Sequence, residues 1–377
     1  MARARIRTTH TGSLPRPPEV LAVLRARDDR ELADLKQMEA TIREGVAAIV
    51  HQQTETGIDI VNDGEMSKIT YATYIKERLT GFDGVSGFPP SKEFQDFPEF
   101  MKKFGQREGV RALKLPACTG PIAWKDKGAV QIDIDNLKAA TVGKAAGDVF
   151  MSAASPGVVT QFMDNKYYPS DEAYLQALVD VMRDEYRAIA DAGFVLQLDC
   201  PDLAVSRHTR FGHLETPAFL ARIGLHIDAI NDAIRGIPQD RVRLHLCWGN
   251  YEGPHHRDVP LKEIIQTVFK ANVGGISFEG ANPRHEHEWA VFRDVKLPAG
   301  KYLIPGVIDS TTNYIEHPEL VAQRLARYAE LVGPENVIGS TDCGLDTFAG
   351  AGYVDSRIAW AKLASLVEGA RLAADLL

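Results

Sequence analysis

The feature that most constrains this chain is a short apolar run that ends on polar residues, precedes a helical stretch, and then recurs. GIDIVNDGE (57–65), VVTQFMD (158–164), VLQLDC (195–200) and VRLHLC (242–247) follow this form. GGISFEG (274–280), YLIPGVID (302–309) and VIGSTDCG (337–344) continue it, and THTGS (9–13) and LKLPACTGP (113–121) read as two more. Val-, Ile- and Leu-rich runs alternating with helices imply a parallel sheet covered on its outer face. From Asp199 to His245, Glu279, Asp309 and Cys343 the steps are 46, 34, 30 and 34 residues. Such steps suit successive βα units, and a (β/α)8 TIM barrel is their natural closure. Nine candidate strands compete for eight places, so at least one run is not a barrel strand.

The helices between have recognisable ends. Ser170 caps a helix starting at Asp171 and stopping before Gly193, Pro318 opens another, and the segment from Asp355 to the C-terminus has apolar residues at helical spacing. FDGVSGFPPSKEFQDFPEF (82–100) reads as a long loop, so the expectation is one catalytic barrel over 1–377 with a loop or lid at 82–110.

Composition narrows the function classes. A net charge of −8 argues against nucleic acid or an anionic membrane as partner. No apolar run is long enough to span a bilayer, and the basic N-terminal stretch lacks the apolar core of a secretory signal, so a cytoplasmic location is expected. Cys118, Cys200, Cys247 and Cys343 are few and widely separated, which points to packing or metal chemistry and not to a disulfide framework.

His245 and Cys247 are two apart on one run and therefore face the same way. Glu279 of ISFEG and Cys343 of STDCG end later runs, at the strand ends where barrel enzymes place their active sites. One imidazole, two thiolates and a carboxylate make a tetrahedral Zn2+ set, and their wide spacing is that of a catalytic site, not of a zinc knuckle. The plain alternative is a packed Cys and a carbonyl-bonded His. Two thiolates and a carboxylate over-neutralise the ion, which suits it to activating a small thiol for alkylation and not to hydrolysis.

THTGSLPRP, NDGEMSK, TGP, QLDCPDL, HLCWGN, ISFEG and STDCGL occur in the order of a known family. The chain resembles the catalytic barrel of cobalamin-independent methionine synthases, in a superfamily that includes epoxyalkane:coenzyme M transferase and uroporphyrinogen decarboxylase-like barrels. The resemblance implies that His245, Cys247, Glu279 and Cys343 bind zinc, and that Gly12, Ser13, Glu65 and Asp199 hold the amino-acid end of homocysteine. It implies S-alkylation of a small thiol taking its group from an alkyl donor, in methionine biosynthesis. Epoxide opening by coenzyme M, with Lys68, Arg16 and Arg357 as candidate partners for the sulfonate, is the alternative, and a non-catalytic zinc-binding relic the third. Two departures stand out: IAWKDK follows TGP, and Thr311 of DSTTN occupies the place of the family's catalytic His. Asp309 and Thr311 are the expected catalytic positions on that strand. Asp309 and Asp342 are candidates to orient a ligand, Tyr71 and Tyr74 to line the pocket, and HH (255–256) and HEHEW (285–289) to cover the mouth. A homo-oligomer is compatible with the sequence.

Overall fold

The computed structural model describes residues 5–32, 34–87, 91–104 and 115–377. Its sheet contains the parallel strands Arg7–Thr8, Phe150–Ala154, Val195–Asp199, Val242–His245, Gly275–Phe278, Tyr302–Ile308 and Ile338–Thr341. From Phe150–Ala154 onward each strand pairs with the next, and Ile338–Thr341 returns to pair with Arg7–Thr8. Residues 60–61 close the remaining gap. Ile60 N–H donates to Thr8 O, and Phe150 N–H to Val61 O, both at 3.0 Å. With the parallel bridge Val61↔Val149 this segment is the eighth stave of a (β/α)8 barrel.

The covering helices form where the sequence places their ends. Ser170 Oγ accepts from Ala173 N–H at 3.2 Å at the head of helix Asp171–Asp191. That helix buries Tyr174, Leu178, Met182 and Ile189 on one face, each such side chain stabilising by about 1.5–3 kcal/mol. Helices Pro318–Val332 and Ser356–Leu376 likewise start at Pro318 and at the Asp355 cap. Among the described residues no helix is long and apolar enough to cross a membrane.

Two runs read as strands are not barrel strands. Residues 158–164 fall largely in helix Pro156–Phe162, because Ser155 caps Val158 N–H and Pro156 fixes the first turn. The barrel strand of that unit lies just before it, at Phe150–Ala154. In the 113–121 run, Ala117–Cys118 pairs antiparallel with Phe82–Asp83 outside the barrel.

Of the 82–110 segment, residues 88–90 and 105–110 lie outside the described residues. The rest carries that hairpin strand and short helices Lys92–Asp96 and Pro98–Phe104. These bring Phe94 and Phe104 within 5.4 and 5.9 Å of the Tyr251 ring, on the loop that follows Cys247. At the opposite end of the barrel Ile60, Phe150 and Val195 pack as a small separate apolar cluster.

Candidate active site

His245 is the last residue of its strand, and Cys247 lies just past it. Their ligand atoms and Cys343 Sγ all lie within 4.8 Å of one another, and all three residues are buried. Cys343 Sγ is 3.7 Å from His245 Nε2 and 3.8 Å from Glu279 Oε1. A tetrahedral ion with Zn–S of about 2.3 Å and Zn–N or Zn–O of about 2.1 Å requires ligand edges of about 3.6 Å, so these separations fit. Glu279 stands slightly apart, outside the mutually close set. Burial pulls the His245 imidazole down to about 4, so the ring is neutral and able to ligate. In the tautomer that donates from Nδ1 to Ser277 Oγ, 3.3 Å away, the Nε2 lone pair faces the thiols. Burial pushes the Glu279 carboxyl up to about 7, and burial with the neighbouring Cys247 and Glu279 raises the Cys343 thiol.

The loops carrying these groups are tied together. Asp342 Oδ1 accepts from Gly280 and Ala281 N–H at 2.8 and 2.9 Å, and Oδ2 accepts from Asn282 N–H at 2.9 Å and Nδ2 at 3.1 Å. Asn282 Nδ2 also donates to Glu279 Oε2, and Trp248 N–H to Glu279 Oε1, both at 2.7 Å. Asp342 thus links the Cys343 loop to the carboxylate of Glu279. Ser310 Oγ accepts from Cys343 N–H at 3.2 Å and donates to Asn250 Oδ1 at 2.9 Å, joining three loops.

The Gly12–Ser13 turn packs directly on the NDGE turn. Asn62 Nδ2 donates to Gly12 O at 3.1 Å, and a Cβ at Gly12 would lie 2.6 Å from Glu65 Oε1. Gly12 and Ser13 are buried residues whose N–H groups make no hydrogen bond among the described residues, an arrangement suited to an anionic ligand. Glu65 is held with φ 58° in that turn, its Oε1 accepting from Ser152 Oγ at 2.9 Å while buried Oε2 has no hydrogen-bond partner. Asp199 is the ladder partner of His245. Burial first, and Glu65 second, push its carboxyl up to about 7. Two buried acids that repel each other, with Glu65 Oε2 left without a hydrogen bond, form a place for an ammonium group even though Lys68 partly offsets the charge on Asp199. Arg16 lies 3.9 Å from Glu65 Oε2, but its own donors are engaged by Asp346, Glu65 O and Lys68 O.

The remaining expected positions are placed as follows. Asp309 accepts from Thr311 N–H and Oγ1 and from Thr312 Oγ1, all at 2.8 Å, so Asp309 and Thr311 organise the loop that carries Ser310. Tyr74 is buried, its OH donating to Glu185 Oε1 at 2.8 Å and accepting from Ala154 N–H at 3.2 Å. Tyr71 packs between Phe162 and Phe348. His255 and His285 share Asp258 Oδ2 at 2.8 and 3.0 Å, and the His285 ring stacks on Trp248 at 4.0 Å. Although burial opposes their charge, these bonds push them up to about 9 and about 10. Glu93, His255 and Asp258 also lie close enough to hold an ion, but both His255 nitrogens already face acceptors. Sequence reasoning missed Ser152, whose strand was misplaced, and the loop ties Asn250, Asn282 and Ser310. It also missed Gln197 and Arg243, which the two-residue spacing to Asp199 and His245 could have flagged.

Residues 6–87 and 157–370 match the family described as "Cobalamin-independent synthase, Catalytic domain". A methionine synthase of Sulfolobus acidocaldarius is 25% identical over 365 residues, covering 96% of this chain and 90% of the relative. A methionine synthase of Pyrococcus furiosus is 24% identical over 373 residues, covering 97% and 91%. The structure of a B12-independent methionine synthase from Shewanella sp. W3-18-1, in complex with selenomethionine, shares the fold with a TM-score of 0.72 at 21% identity, covering 98% of both chains.

Proposed function

The chain belongs to the family of cobalamin-independent synthase catalytic domains, and from that membership we propose that it transfers a methyl group to the sulfur of homocysteine beside a zinc ion held at the barrel mouth. The observation that carries this reading is the adjacency of a thiolate-rich donor set, His245, Cys247 and Cys343 with Glu279, to the acid pair of Glu65 and Asp199. The four donors hold Zn2+, whose contribution when bound is to lower the pKa of a thiol beside it.

Glu65 and Asp199 take the substrate ammonium, and the Gly12 and Ser13 N–H groups take its carboxylate. These contacts hold the amino-acid end while the sulfur points to the donor cluster. The thiol proton passes to solvent. A sulfur lone pair then forms the new S–C bond as the bond between carbon and donor breaks, its electron pair leaving with the donor. Positioning of the two reactants supplies much of the acceleration. Asp309 and Thr311 serve by shaping the loop that places Ser310 against Cys343. The whole chain acts as one catalytic barrel, with helices Lys92–Asp96 and Pro98–Phe104 set against Tyr251 on the loop after Cys247.

Coenzyme M fits this pocket less well. Its sulfonate would face two acids, while Arg16 is already engaged and the Arg357 side chain is 95% exposed. The test is to incubate zinc-loaded protein with homocysteine and a panel of methyl donors and to look for methionine by mass spectrometry. Coenzyme M and Cys247→Ser serve as controls. Methionine formed by wild type and not by the variant is expected. Alkylation of coenzyme M alone, or no thiol-dependent product with any donor, overturns the proposal.

A further inference from the structure

Two polar side chains inside the barrel take no part in the chemistry above. Arg243 points to the same side of its strand as His245, is buried, and lies over the Phe150 ring at 3.5 Å to its centroid. Barrel interiors are usually filled by branched aliphatic residues, and a guanidinium is costly to bury without a carboxylate. Among the described residues Arg243 has no such ion pair. Its partners are Gln197 Oε1 at 2.8 Å, Thr9 Oγ1 at 3.1 Å and His10 O at 3.1 Å. Room for it comes from Gly275 on the next strand, where a Cβ would lie 2.9 Å from Arg243 Cβ.

These bonds have a direction. A guanidinium only donates, so Gln197 must turn its oxygen to Arg243 and its NH2 away. That NH2 donates to Asp199 Oδ1 at 2.8 Å and to Thr11 O. Gln197 is the ladder partner of Arg243, one row below the Asp199–His245 pair. From this row the two side chains brace Asp199 on one side and the backbone of residues 10–11, which leads into the Gly12–Ser13 turn, on the other.

We infer that Arg243 and Gln197 are a positioning pair that sets both halves of the amino-acid pocket, the acid for the ammonium and the turn for the carboxylate, without touching substrate. This rests on the homocysteine reading and adds to it the residues that fix selectivity for an α-amino-acid thiol. Filling the barrel interior is the simpler role, and it would affect every thiol alike.

Calorimetry on zinc-loaded protein separates the two, comparing homocysteine with 1-propanethiol, which has the sulfur but no amino-acid head. Arg243→Met and Gln197→Met should each weaken homocysteine about tenfold or more. Propanethiol binding and zinc content, read by emission spectrometry, should stay at wild-type values, and Arg243→Lys should recover part of the loss. Gln197→Met keeps the cation and gives the same readout if Arg243→Met does not fold. Homocysteine binding that is unchanged, or a loss equal for both thiols, overturns the positioning role. A wild-type protein that binds propanethiol but has no preference for homocysteine overturns the homocysteine reading, and this inference with it.

Discussion

Replacing Asp199 with Asn should move stability and binding in opposite directions. Burial and then Glu65 push the Asp199 carboxyl from 3.8 up to about 7. A carboxyl whose pKa is higher folded than unfolded takes up a proton on folding. The stability it contributes is complete below 3.8 and is lost as pH rises through about 7. Keeping the group ionised at pH 8 costs about 4 kcal/mol. Asn retains the shape, and its Oδ1 can still accept from Gln197 Nε2. Relief of the charge, less the cost of burying a new NH2, should return roughly 1–2 kcal/mol at pH 8, a rise of a few degrees in Tm. At pH 5, where Asp199 is already protonated, the gain should vanish. Homocysteine, by contrast, loses one charged acceptor of its ammonium. Truncating one side of a buried charge pair costs about 2–5 kcal/mol, or at least ~30-fold in Kd. Thermal melts at the two pH values, with calorimetric titration at pH 8, give both readings. Equal destabilisation at both pH values would make Asp199 an ordinary structural acceptor and refute the reasoning, as would unchanged homocysteine affinity.

Other perturbations report on neighbouring parts of the site. Asp342→Asn places a donor opposite the N–H groups that now bond the carboxylate, so Glu279 should lose its orientation and zinc affinity should fall about 10–100-fold in chelator competition. Cys247→Ser and Cys343→Ser remove ligands outright and should lose more zinc than Asp342→Asn does, an ordering that metal analysis after dialysis can reverse. Chelation of the wild-type metal should abolish methyl transfer yet leave the far-UV circular dichroism in place, because the donors sit at the strand ends or just past them and outside the apolar core. Homocysteine affinity relative to propanethiol should rise with pH through about 7, as Asp199 ionises to receive the ammonium. A flat ratio would remove Asp199 from amine recognition.

Most of the barrel was legible because each βα unit carries a local signal: a branched-aliphatic run, a cap and an amphipathic helix. The two misread runs failed for physical reasons. VVTQFMD has the apolar content of a strand, but Ser155 and Pro156 commit the backbone before it to a helical turn, and that helix is buried on nearly all sides, so it shows no amphipathic period. FMSAA, the strand actually used, is small and only weakly apolar, and its β character comes from pairing with Val195–Asp199. The stave at 60–61 is even shorter, yet it lies in the GIDIVNDGE run read as a strand, and hydrogen bonds to Thr8 O and from Phe150 N–H fix it in the barrel.

The site divides along the same line between local and non-local information. His-x-Cys on one strand and Asp at the end of another are visible because strand ends in a barrel converge, so donors at those ends meet whatever the register. Gln197 and Arg243 lie one row lower, where register decides everything. Arg243 alone reads as a solvated charge that has strayed into an apolar run, and Gln197 as a neutral filler. Only the pairing of Gln197 with Arg243, across 46 residues, makes the cation orient an amide and the amide orient Asp199. The upper row can be recognised by residue type, but the lower row acquires its role from hydrogen-bond direction. A functional reading that stops at the acids and thiols therefore leaves out the groups that aim them.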